Sequence, residues 1–236
     1  MRRHVTLAAL LALITSLAHA QNWTEGTNYF PVIPAQHTNV PAGKIEVAEI
    51  FSYACPYCAQ FNPLMQQLRK SLPGNAQLVF VPASFNPSED WPMFQRATCT
   101  AQALGILDKT HDAMFDAVWK TGELAISDPK THVLRNPLPT IEDAARYYNR
   151  ISGIAVDQFL AASKSFSVDA AMRHADALIL AYHIDGTPSL IVNGKYRITG
   201  QSAGGMQQMI ELAKWLVAKE SQPGHSASAR PYRFGM

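Results

Sequence analysis

The sequence predicts an α/β domain whose sheet-forming parts are separated by a helical insertion. Three observations lead there. Residues 44–83 read strand, helix, strand. Residues 91–182 carry a series of amphipathic helical patterns with no strand between them. Residues 189–217 return to two short strands and a closing helix. Strands interleaved with helices in this order give a sheet covered by helices, and a chain of 236 residues suits one such domain carrying an insertion.

The first part is a β-α-β unit. Residues 21–42 are marked by Pro31, Pro34 and Pro41 and read as an extended lead-in. Lys44 to Tyr53 alternates and is rich in strand formers. A helix is expected from Cys55 to about Leu72, closed by Pro73-Gly74. Pro63 lies inside it and should kink rather than end it, because Leu64, Met65 and Leu68 continue the pattern. Gln77 to Ala83 is the second strand.

The middle is helical. Helices are expected over Trp91–Leu104 and Lys109–Lys120, followed by a proline-containing connection over 121–139. Thr140 is a helix N-cap, with Glu142 and Asp143 in the first turn and Gly153 at the end. A short helix is expected around Asp157–Ala162. Ser167 is read as the cap of the best amphipathic stretch, in which Val168, Ala171, Met172, Ala175, Leu178, Ile179 and Tyr182 share a face. The last part opens with a strand over Ser189–Asn193. Asn193-Gly194 is a strong hairpin signal, Lys195–Thr199 pairs back, and a helix places Met206, Met209, Ile210, Ala213, Leu216 and Val217 on one side.

At the N-terminus, Arg2 and Arg3 precede an apolar run from Val5 to Leu17 and the small-residue signal Ala18-His19-Ala20. This is the pattern of a secretory signal peptide cleaved after Ala20. The segments are therefore 1–20 signal peptide, 21–42 lead-in, 43–86 first α/β part, 87–184 helical insertion, 185–220 second α/β part and 221–236 loose tail. The chain is 47% hydrophobic and 16% charged, which excludes wholesale disorder. Its 20 basic and 18 acidic residues leave no basic surplus for nucleic acid, and loss of Arg2 and Arg3 with the leader makes it formally neutral. A monomer is the default.

The chemistry rests on Cys55-Pro56-Tyr57-Cys58. The spacing puts two sulfurs one helical turn apart, within disulfide reach. The motif follows a strand and opens a helix, so Cys55 sits at the unpaired N–H groups of the first turn, which stabilise a thiolate. Pro56 suits the first helical position. Cys55 is expected to be the more exposed, attacking sulfur and Cys58 the buried, resolving one. Half of a zinc site and a purely structural disulfide are the other uses of a C-x-x-C, but no second C-x-x-C or nearby His pair completes a metal site. Cys99 reads as a packed core thiol, with a regulatory or intermolecular thiol as the alternative. Glu49 shares a strand face with Ile45, Val47 and Phe51, six residues before Cys55. That suggests a buried acid beneath the sulfurs, with a raised pKa, able to accept the Cys58 proton; a solvent-facing strand-end Glu is the alternative.

The segment Glu49-Ile50-Phe51-Ser52-Tyr53-Ala54-Cys55-Pro56-Tyr57-Cys58, the helical insertion and Gly186-Thr187-Pro188-Ser189-Leu190-Ile191-Val192-Asn193-Gly194-Lys195-Tyr196 together resemble the DsbA-like periplasmic thiol:disulfide oxidoreductases, over roughly residues 40–220. The resemblance implies a thioredoxin fold interrupted by the helical insertion. It implies a cis peptide bond before Pro188, with Thr187 and Pro188 forming a loop beside the disulfide that presents backbone to an extended substrate. It implies an acid at Glu49. It also implies that the chain donates its Cys55–Cys58 disulfide to unfolded exported proteins through a mixed disulfide, engages them in a mainly apolar groove near Pro188, and is reoxidised by a DsbB-like membrane quinone-linked oxidase; no cofactor or metal is expected. The sequence departs from the best-known motif of the family at Tyr57, where a His is usual. Tyr57 cannot carry the positive charge that supports a thiolate, so the oxidising character is expected to be less extreme. The strand Gln77–Pro82 also has no Lys to pair with Glu49. The competing functions are a disulfide isomerase or reductase, a non-catalytic periplasmic binding module or chaperone, and a Cu(I) chaperone using the two sulfurs.

Overall fold

The structure, a computed structural model, describes residues 22–222. The expected signal peptide lies outside the described residues, as does the expected tail beyond residue 222. The strands are β1 (Phe30–Pro31), β2 (Ile45–Phe51), β3 (Ala76–Pro82), β4 (Ser189–Val192) and β5 (Tyr196–Thr199). They form one sheet in the order β1-β5-β4-β2-β3, with β2 and β3 parallel and the other neighbours antiparallel. Helix α1 (Pro56–Ser71) connects β2 to β3. Between β3 and β4 run α2 (Trp91–Ala103), α3 (Leu107–Trp119), α4 (Ile141–Ser152), α5 (Val156–Ser163) and α6 (Phe166–Ala181). A one-turn helix α7 (Gly200–Ala203) and α8 (Met206–Glu220) close the described chain.

Strand β2 is the centre. All seven of its residues are buried, because helices cover both faces of the sheet. Its odd residues Ile45 and Val47 join Phe61, Met65 and Leu68 of α1 and the apolar face of α8 in one cluster. Its even residues Ala48 and Ile50 join α2, α4 and α6 in another, so the helical insertion shares a core with the sheet. Both acids of β2 are buried as well. Glu46 accepts a hydrogen bond from the Asn39 backbone N–H at 2.6 Å, whereas neither oxygen of Glu49 has a partner.

Four readings of the sequence need correction. The lead-in is not only extended: Phe30 and Pro31 form β1 and pair with β5. Pro31 is tolerated there because β1 is an edge strand, whose outer N–H row needs no partner. The turn α7 was not expected; Thr199 and Ser202 build a capping box around it. The cap of α6 is Ser165 rather than Ser167, its Oγ accepting from Val168 N at 3.3 Å. Moreover α6 is not the most amphipathic helix, since α4 separates polar from apolar residues more sharply. The capping of α4 by Thr140 is as expected and is completed by Asp143.

The β4–β5 turn anchors the lead-in. Asn193 and Gly194 take φ of 55° and 65° in a three-residue loop between the paired Val192 and Tyr196, closed by Lys195 N–H donating to Val192 O at 3.0 Å. Gln36 N donates to Gly194 O at 3.0 Å, and a Cβ on Gly194 would stand 2.2 Å from Gln36 O. Gly194→Ala therefore meets both backbone strain and a backbone clash. It is expected to lower unfolding free energy by about 2 kcal/mol; a denaturant midpoint within experimental error of wild type would contradict this account.

Candidate active site

Cys55 is the N-cap of α1. Its backbone is extended (φ −85°, ψ 117°), Pro56 occupies the first turn, and Cys58 N–H donates to Cys55 Sγ at 3.3 Å. The helix then passes Pro63 without ending and stops at Leu72, before Pro73. The same local chemistry that starts the helix thus aims its first N–H groups at one sulfur. From the other side, β4 brings the Thr187–Pro188 loop. That peptide bond is cis, and the Thr187 carbonyl accepts from the Cys55 thiol at 3.5 Å. Ser189 Oγ donates to Gly186 O at 2.8 Å and closes the loop on itself.

The two sulfurs are unlike. Both are free thiols and both are buried, Cys55 with 3% of its surface exposed and Cys58 with none. The hydrogen bond from the Cys58 thiol, assisted by the backbone N–H groups of Cys58 and Tyr57, outweighs burial and brings the Cys55 pKa down from 9.0 to about 6. Burial pushes Cys58 well above the ordinary thiol value, and the neighbouring Cys55 and Glu49 push the same way. Cys99 is buried in α2, and burial pushes it up to about 12. It has none of the groups that activate Cys55.

Glu49 lies fully buried on β2, between Phe80 of β3 and Leu190 of β4 in the sheet register. Burial raises its pKa from 4.5 to about 8, against the opposing field of Arg69. Behind the motif, Tyr53 OH and His111 Nδ1 are 3.0 Å apart, and Trp119 Nε1 donates to Tyr53 O at 2.7 Å. His111 stacks on Phe80 and burial holds its pKa down at about 3, so the ring is neutral.

Tyr57 stands out from the motif, 61% exposed, and with Thr187 and Pro188 it borders a groove of about 770 Å³. Phe30 and Met206 contribute apolar wall, while Asp185 and Arg197, paired at 3.7 Å, contribute charge. Two elements not read from the sequence line the groove: β1 supplies Phe30, and α7 supplies Gln201 and Ser202. Sequence reasoning also missed Arg69. The signal was present as the spacing Asn62, Gln66, Arg69 on α1, a polar row on a helix otherwise read for its apolar face. Among the described residues no group of three or more His, Cys, Asp or Glu could hold a metal ion, and no helix is long and apolar enough to cross a membrane.

Comparison with known proteins agrees with this geometry. The family model described as "DSBA-like thioredoxin domain" matches residues 46–213. The thiol:disulfide interchange protein DsbA of Pseudomonas aeruginosa is 31% identical over 221 residues, covering 92% of this chain and 97% of its own length. That of Azotobacter vinelandii is 37% identical over 186 residues, covering 78% and 79%. The crystal structure of the oxidoreductase DsbA from Xylella fastidiosa superposes with a TM-score of 0.71 at 30% identity, covering 82% of this chain and 95% of the other. A thioredoxin fold split by helices, with an activated cysteine at the start of α1, is thus accompanied by relatedness along most of the chain. The chain belongs to the DSBA-like thioredoxin domain family and is a thiol:disulfide oxidoreductase.

Proposed function

We propose that the chain donates the Cys55–Cys58 disulfide to exported proteins as they fold in the periplasm. A substrate thiolate attacks Cys55 Sγ of the oxidised pair. The S–S bond breaks, its electron pair leaves on Cys58, and Glu49 supplies the proton that makes Cys58 a thiol. A second substrate thiolate attacks the substrate sulfur of the mixed disulfide, and Cys55 leaves as a thiolate. Two electrons have then passed from substrate to protein. Thr187 and Pro188 hold the substrate backbone beside Cys55, and Pro56 and Tyr57 tune the thiolate. A DsbB-like quinone-linked membrane oxidase removes the electrons, while the Glu49 carboxylate takes back the Cys58 proton. The expected leader before Gln21 delivers the chain across the membrane.

The observation that supports the direction of transfer is the inequality of the two sulfurs. Whatever stabilises the Cys55 thiolate stabilises the reduced protein, and so makes the oxidised protein a stronger oxidant. The test is the redox equilibrium of mature Cys99→Ala protein in glutathione buffers. The expected midpoint lies above about −180 mV, the range of disulfide donors and isomerases. A midpoint near about −270 mV, in the range of disulfide reductases, would reject donation.

A further inference from the structure

Helices α1 and α3 form a polar seam beside Glu49 that is exposed on its outer side and buried on its inner side. Asn62, Gln66 and Arg69 share one face of α1; Asp108, His111 and Asp112 share one face of α3. The outer side of the seam is paired. Asn62 Nδ2 and Gln66 Nε2 both donate to Asp112 Oδ1, at 3.0 and 2.7 Å, and Arg69 Nη2 donates to Asp108 Oδ1 at 3.2 Å. The inner side is not: Asn62 Oδ1, Arg69 Nε, His111 Nε2 and both Glu49 oxygens are buried with no hydrogen-bond partner. Phe80 ties these groups to one place. It is the register partner of Glu49, the Arg69 guanidinium lies 5.2 Å from its ring centroid, and His111 stacks on it at 4.0 Å. A cluster of unpaired buried donors and acceptors in a native fold calls for an explanation in function.

We propose that Arg69 is a positioning residue for disulfide exchange: its guanidinium, carried on α1 over Phe80, is the cation that stabilises Glu49 as a carboxylate once Glu49 has passed its proton to Cys58. The inference rests on the proton-transfer role given to Glu49 above. The charged and titratable groups around Glu49 are the Cys55 and Cys58 thiols and Arg69 from α1, Tyr53 from the segment after β2, and Asp112 and His111 from α3. Asp112 and the Cys55 thiolate oppose a Glu49 carboxylate, and His111 is neutral, so Arg69 is the cation in this set. Its outer contact with Asp108 holds the guanidinium in the seam.

The experiment follows the Glu49 side-chain carboxyl by carbon NMR through a pH titration of the reduced protein. Arg69→Met keeps an aliphatic stem over Phe80 and is expected to move the Glu49 midpoint up by about one pH unit. Arg69→Lys is expected to restore most of the wild-type value. An unmoved midpoint in Arg69→Met overturns the inference. Should that variant not fold, Arg69→Gln, polar and of similar reach but uncharged, carries the test. It is expected to move the midpoint up as Arg69→Met does, and an unmoved or lowered midpoint in it overturns the inference. The pH profile of dithiol oxidation adds a functional reading. Arg69→Met is expected to shift it in the wild-type background and to leave it unchanged in a Glu49→Gln background; equal shifts in both overturn the inference. The titration is read without a substrate, so a failed donation test above and a failed Arg69 test here are distinguishable.

Discussion

Cys55→Ser is expected to reduce thiol oxidation to the uncatalysed background, a loss of at least about a thousandfold, because a serine oxygen cannot form the disulfide that the substrate thiolate attacks. Cys58→Ala should behave differently. Its Cys55 thiolate can still attack a disulfide of a partner, releasing one of the partner's sulfurs as a thiolate, but no intramolecular sulfur displaces the remaining one, so disulfide-linked adducts accumulate with no net oxidation. The inequality of the sulfurs also sets which one an alkylating agent finds. With its pKa near 6, Cys55 is mostly thiolate at pH 7, while Cys58 and Cys99 remain thiols. A single iodoacetamide adduct at Cys55, forming with a midpoint near pH 6, is the expected result. Equal modification of Cys55 and Cys58 would remove the basis for assigning attacker and resolver.

The sign of the linked stability follows from the same numbers. The Cys55 pKa is depressed in the folded reduced state, from 9.0 to about 6. Its contribution is therefore fully present above pH 9 and is lost as pH falls through 6. At pH 7, one unit above the folded value, it amounts to about 1.4 kcal/mol. The disulfide has no thiol to titrate. The reduced protein is thus expected to gain on the oxidised one as pH rises from 6 to 9, which is the driving force for donation.

What was legible in the sequence was what a short stretch of chain decides for itself. The motif Cys55-x-x-Cys58 between a strand and a helix carries its own N-cap, first-turn proline and thiolate chemistry within a few residues. Thr140 with Asp143 and Asn193-Gly194 are likewise local. Failures came where partners lie far apart in the chain. Strand β1 is two residues long and exists through its pairing with Tyr196 and Arg197, so no periodicity could announce it. Ser165 and Ser167 lie two apart, with their hydroxyls in contact at 2.9 Å, and either could start a helix. The choice of Ser165 places Phe166 at the first helical position, 81% exposed, against any pattern of apolar burial. A cross-strand pair would place a cation for Glu49 on the neighbouring strand β3. The strand instead supplies Phe80, and the cation comes from α1, twenty residues beyond Glu49, because α1 folds back over that ring. Glu46 and Glu49 show the same limit. Both are acids on a fully buried strand, and only the packing of Asn39 against one of them decides that Glu46 is satisfied and Glu49 is left to move a proton.

Glu49→Gln is expected to change how stability depends on pH more than stability itself. The folded pKa of Glu49 is raised, from 4.5 to about 8, chiefly by burial. A raised acid contributes stability that is fully present below the unfolded value and is lost as pH rises through the folded one. Between pH 4.5 and pH 7 the folded protein keeps a proton that the unfolded chain releases. At about 1.4 kcal/mol per pH unit, this costs about 3 kcal/mol by pH 7. Glutamine has no such proton, and its fixed packing penalty is the same at every pH. The unfolding free energy of wild type, measured against that of Glu49→Gln in the same redox state, should therefore fall by about 3 kcal/mol over this interval and level off above pH 8. Comparing the variants within one redox state removes the opposite contribution of Cys55. Denaturant unfolding at half-unit steps of pH gives both curves. Parallel curves would mean that Glu49 ionises in the folded state as freely as in water, and the carboxyl could then not serve as the proton store for Cys58 at neutral pH. A wild-type curve that falls relative to that of the variant as pH rises would mean that the fold spends stability to keep one carboxylic acid protonated under the disulfide, available when Cys58 leaves.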